Sequence, residues 1–162
     1  MLGGVHFFAG SALSLSLTKN IYIAFLIGFI SHHLFDRLPH LDLNIFPKDK
    51  YKSIKNWDLK VWLLVVSEFL FFIIFTFYFL NKIDFSFKKI AIFGGVGAIF
   101  PDLFTLLLKN FFPKLRFFNF YLNFHKSFHF EFKNKNYLLP VLIEMILIVF
   151  SIILFLGTNT NY

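Results

Sequence analysis

Residues 61–80 read VWLLVVSEFLFFIIFTFYFL, with Glu68 as the single charge. That is the length a helix needs to cross a hydrocarbon core of about 30 Å. Lipid offers no water to unpaired backbone groups, so such a run must close its hydrogen bonds internally, as a helix. Residues 138–156, LLPVLIEMILIVFSIILFL, repeat the pattern, with Glu144 as their one charge. The two runs predict an all-α, polytopic membrane helix bundle.

Outward from these runs the reading needs more argument. Residues 90–108, IAIFGGVGAIFPDLFTLLL, have spanning length but carry Gly94, Gly95, Gly97, Pro101 and Asp102. In water these residues would argue against a helix. In a membrane, small residues let helices approach closely, and a proline kink is tolerated. Pro101 then frees the carbonyl of Gly97. Gly3–Leu17 and Ile21–Phe35 are shorter apolar runs separated by Thr18, Lys19 and Asn20. They form either two packed spans or a re-entrant hairpin, and both return the chain to the side on which it began. The expectation is a single domain, 1–162, with about five membrane-embedded helices near 3–18, 21–38, 61–80, 90–108 and 138–156. A short turn is expected at 81–89, and polar loops gather on one face.

Composition fits this reading: 57% of residues are hydrophobic and the net charge is +7. In a soluble chain that charge would raise nucleic acid as a partner. Here twelve of the sixteen Lys and Arg residues fall on the face shared by the N-terminus and the segments 37–60 and 109–136. Basic loops bias toward the cytoplasm and toward anionic headgroups, so a multi-pass protein of the inner cell membrane is expected, with no nucleic-acid partner. Cysteine is absent, which removes disulfide and thiolate chemistry. MLGGVHFFAG lacks the basic start of a secretory signal and reads as part of the mature protein. An offset of 66 lays Gly28, Ser31 and Asp36 on Gly94, Gly97 and Asp102, a weak internal repeat.

The chemistry concentrates in residues 31–42, SHHLFDRLPHLD. On a helix His32 and Asp36 share a face, and so do Asp36 and His40 if the helix survives Pro39. Imidazole and carboxylate together suit Zn²⁺, Mn²⁺ or Fe²⁺, or the carboxylate orients a ligating imidazole from behind. The plainer alternative is a helix end where His and Asp bond each other. His125 and His129 form a second pair at helical spacing, inside a Phe-rich basic segment suited to lying on headgroups. Glu68, Asp102 and Glu144 are ionisable groups inside apolar runs, where charge is costly and marks function by default. Counted along their helices, all three sit roughly 10 Å below one face. His6, His32, Asp36, His40 and His125 gather at that same face.

GVHFFAGSAL, GFISHHLFDRLPHLD, GAIFPDLF and HKSFH, in this order, resemble the small bacterial inner-membrane proteins of the YdjM-like group, described as metal-dependent hydrolases. The resemblance covers about half the chain, and the Ser-His-x-x-x-Asp-x-x-Pro-His-x-Asp run is its most specific part. It implies His6, His32, Asp36, Asp102 and one or both of His125 and His129 as metal ligands. Two positions depart from the family pattern. Phe104 stands where a second Asp is common, and Lys126 follows His125, with the two histidines only four positions apart.

The leading expectation is therefore a hydrolase with one or two zinc-like ions on its cytoplasmic side, acting on an ester or phosphoester at the membrane. Glu68 or Glu144 would serve as general base, and Arg37 and Lys126 would hold a phosphate oxygen. The alternatives are a non-catalytic membrane scaffold and an ion-handling or transport protein whose acids line a path. Neither a Walker-type phosphate loop nor a Gly-x-Ser-x-Gly nucleophile occurs.

Overall fold

The computed structural model describes residues 3–40, 56–112, 116–128 and 138–158, and no strand occurs among them. Six helices run in chain order: α1 Gly3–Leu17, α2 Ile21–Phe35, α3 Leu59–Leu80, α4 Phe85–Phe111, α5 Arg116–Phe128 and α6 Leu138–Thr158. Three of them, α3, α4 and α6, are long and apolar enough to cross a membrane. The expected helices are all present, so the all-α reading stands, while α1 and α2 have 15 residues each and measure only about 22 Å.

Helix ends follow local chemistry. Asn20 caps α2 by accepting from the N–H groups of Tyr22 and Ile23, and Asp58 caps α3 by accepting from Val61. Two boundaries differ from the sequence reading. The turn expected at 81–89 gives way at Phe85, where α4 begins and carries Lys88 and Lys89 in its first turns. Long basic side chains can lie along a helix end while keeping their ammonium in water, so their charge did not mark a loop. At the other discrepancy α2 stops at Phe35 instead of 38, with Asp36 as its cap. Pro39 disfavours helical backbone before it, so Asp36 and His40 do not share a helical face. The polar segment after α4 also contains an extra helix, α5, which is strongly amphipathic. By contrast α4 continues through Pro101, as the third run required.

The centre of the bundle is α1. Ten of its fifteen residues are buried, because α2, α3, α4 and α6 all pack around it. Phe8 is fully buried and its ring meets those of Phe72, Phe75, Phe79 and Phe155 at 4.9–6.5 Å, which joins α1 to α3 and α6. On its other side α1 meets α2 and α4 through small residues. A methyl group added at Gly28 would strike the carbonyl oxygen of Gly94, and one at Gly97 would strike that of Phe25. Such contacts bring helix axes close enough for short polar side chains to reach across. Ser14, for instance, donates to the carbonyl of Ala24 at 2.9 Å.

Candidate metal centre

The polar groups collect at the end of the bundle where α1 begins and α2 finishes. His6 sits in the first turns of α1, His32 and Asp36 at the close of α2, Asp102 after Pro101 in α4, and His125 on α5. The close packing of α2 on α4 sets the key contact: His32 Nδ1 lies 2.8 Å from the carbonyl oxygen of Ala98. A carbonyl only accepts, so Nδ1 carries the proton and donates it, leaving the lone pair of a neutral ring on Nε2.

Nε2 of His32 faces acids. It stands 3.2 Å from Asp36 Oδ2 and 3.7 Å from Asp102 Oδ1. The one nitrogen is therefore close to both carboxylates. His125 Nε2 closes the group, 3.4 Å from the same Asp102 oxygen. One donor atom from each of His32, Asp36, Asp102 and His125 lies within 4.8 Å of every other. Ligand bonds of about 2.1 Å in a tetrahedron put donor atoms roughly 3.4 Å apart, close to the 3.2, 3.7 and 3.4 Å of the three His–Asp approaches. Two carboxylates bring negative charge to a largely buried place, which a bound cation would neutralise. His32, Asp36 and His125 are buried, while the side chain of Asp102 is 40% exposed. The donor set thus fits a divalent ion and is open at one corner.

His6 stands one step back. Its Nε2 donates to Asp36 Oδ1 at 3.0 Å, and its ring lies 4.2 Å from that of His32. It holds Asp36 from behind and is not among the four clustered donors. His129 lies outside the described residues. Glu68 is turned to the backbone: its Oε1 accepts from the Gly4 N–H at 2.9 Å, closing the open start of α1. Glu144 is buried on α6, close enough to act on the charge of Glu68. Neither Glu belongs to the clustered donors. Arg37 is exposed, with its guanidinium 4.6 Å from the centre of the Phe128 ring, and Lys126 is exposed beside His125.

Two neighbours escaped the sequence reading of the site. His33 is buried with both ring nitrogens unbonded, and it forms a second clustered trio with His32 and His125. The doubled His at 32–33 was its only signal. Tyr121 stacks parallel to His125 at 6.2 Å, meets Phe104 edge-on at 5.0 Å, and brings its hydroxyl to 3.4 Å from the Pro101 carbonyl. Burial first, and the Asp102 carboxylate second, push that hydroxyl up to about 12, so it remains a proton donor at neutral pH. Nothing in the sequence distinguished it from the other aromatics of α5.

Fold and site together define a class: a helical bundle with membrane-compatible spans and a buried His/Asp cluster able to hold a metal ion. The chain matches no protein-family model, no curated protein and no solved structure.

Proposed function

We propose that this chain is a metal-dependent hydrolase of the YdjM-like kind, embedded in the inner cell membrane with its polar end toward the cytoplasm. In this reading α1–α4 and α6 are the membrane-embedded helices, and the basic segments meet anionic headgroups. His32, Asp36, Asp102 and His125 hold one divalent ion, zinc by preference. The substrate is an ester or phosphoester presented at the membrane surface.

The observation that carries the reading is the state of His32. The Ala98 carbonyl accepts a hydrogen bond from Nδ1, and Nε2 stands 3.2 and 3.7 Å from the carboxylates of Asp36 and Asp102. Two carboxylates facing one buried imidazole nitrogen favour positive charge between them, supplied by a proton on the ring or by a metal ion in its place. A ligating imidazole commonly donates its other N–H to a carbonyl or carboxylate in this way. Once bound, the ion supplies a Lewis acid that polarises the scissile carbonyl or phosphoryl oxygen and makes water acidic enough to attack near neutral pH. The chain's own groups do the rest. His6 fixes the orientation of Asp36, and Tyr121 stacks on His125 while that ring meets Asp102. Arg37 and Lys126, both exposed, receive the negative charge of a phosphate or carboxylate product. Asp102 is the exposed member of the set, so substrate would approach from its side. Glu68 supports the site through α1, whose first backbone N–H groups it holds, so proton abstraction is left to water and the site carboxylates.

The test is turnover in phospholipid nanodiscs supplied with Zn²⁺, using a nitrophenyl ester, a nitrophenyl phosphodiester and the lipid itself as substrates. Hydrolysis of at least one should appear in the wild type, vanish on chelation, and fall at least about a hundredfold in Asp102→Asn. Equal rates in wild type, chelated protein and variant, or no hydrolysis of any class, would contradict the reading.

A further inference from the structure

His33 follows His32 on α2 and points to the other flank of the site. Its side chain is 6% exposed, and neither Nδ1 nor Nε2 has a hydrogen-bond partner. Three phenylalanines surround it: Phe29, Phe124 and Phe128, with ring centres at 5.0, 5.4 and 5.2 Å. The rings of His32 and His125 complete its surroundings at 5.2 and 5.6 Å. Burying an imidazole among phenylalanines with both nitrogens idle is unfavourable, since each has given up water for nothing. A Phe or Leu would fill that space without the cost. What distinguishes a histidine here is a lone pair, and a donor atom of His33 lies within 4.8 Å of donors on both His32 and His125.

We propose that His33 is a further metal ligand, which completes a three-imidazole face with His32 and His125 and sets the preference of the site for a borderline transition-metal ion over an oxygen-seeking one. This rests on the metal site proposed above. With only the four clustered donors, the set is half carboxylate, which Mg²⁺ and Mn²⁺ also accept. A third imidazole shifts the donor set toward nitrogen, which suits Zn²⁺, Cu²⁺ and Ni²⁺ and leaves Mg²⁺ poorly served. The two donor groups have His32 and His125 in common, with His33 added in one and the two carboxylates in the other.

The experiment compares Zn²⁺ and Mn²⁺ affinity, by competition with a chromophoric chelator, in detergent-purified wild type, His33→Phe, His33→Gln and Asp102→Asn. His33→Phe keeps the aromatic packing, and His33→Gln keeps a polar group should the larger ring misfold. Both should weaken Zn²⁺ at least about tenfold while Mn²⁺ changes little, whereas Asp102→Asn should weaken both ions. In the Cu²⁺-loaded protein, pulsed electron paramagnetic resonance should count three imidazoles, falling to two in either His33 variant. Metal binding in the wild type with Zn²⁺ affinity and imidazole count unchanged in the His33 variants overturns the role of His33 alone. No binding of either ion by the wild type overturns it together with the metal site.

Discussion

A neutral imidazole has one proton and one lone pair, and at His32 a neighbouring helix backbone decides which nitrogen keeps which. Because the Ala98 carbonyl takes the Nδ1 proton, the lone pair cannot turn away from Asp36 and Asp102 without losing a 2.8 Å hydrogen bond. The same logic gives His6 a positioning role: it donates to one Asp36 oxygen and leaves the other facing His32. His6→Phe should therefore weaken zinc binding by about ten- to a hundredfold without abolishing it, as read by chelator competition. Glu68 offers a contrast at the same scale. Replacing it with Ala should cost about 1 kcal/mol by uncapping α1, while Glu68→Gln, which keeps an oxygen for the Gly4 N–H, should cost less. Thermal unfolding in detergent measures both.

Among the elements, the site depends on how closely α2 can approach α4. Gly28 meets the Gly94 carbonyl directly, and that contact brings Ala98 under His32. Gly28→Ala forces overpacking against backbone and should destabilise the bundle by on the order of 3 kcal/mol, whereas Gly157→Ala, with open space around it, should be close to neutral. The weak repeat at an offset of 66 acquires a physical sense here, since Gly28 and Gly94 are partners across this crossing. The amphipathic helix α5 is a different kind of element. It brings His125 to the site from outside the spans and exposes Phe120 and Phe124. An ion shared by His125 and the buried donors would pin it, so chelation should raise hydrogen exchange in Arg116–Phe128 while leaving α1 protected.

At the scale of the molecule, the long apolar helices were legible because 20 apolar residues with one charge leave the backbone little choice. The convergence of His6, His32, Asp36, Asp102 and His125 was legible as well, since helix rise converts residue count to depth. What sequence could not convey is direction about the helix axis. It could not say that Glu68 turns to the start of α1, that His33 turns inward, or that Tyr121 backs His125, because those depend on which helices are neighbours. The boundary at Phe85 was hidden by Lys88 and Lys89, whose charge resembles a loop. Since the chain has no cysteine, single replacements at Lys109 and Lys82 report membrane sidedness cleanly. A membrane-impermeant maleimide added to intact cells should label Lys82→Cys and not Lys109→Cys. The reverse pattern would invert the orientation and put the site outside.

The most direct measurement is the metal content of protein purified in mild detergent after growth with trace zinc, for wild type beside His32→Ala and Asp102→Asn, with helicity checked by circular dichroism. One equivalent of divalent metal in the wild type and its loss in two still-helical variants is the predicted result. Negligible metal in the wild type, or the same metal content in all three, would contradict the account.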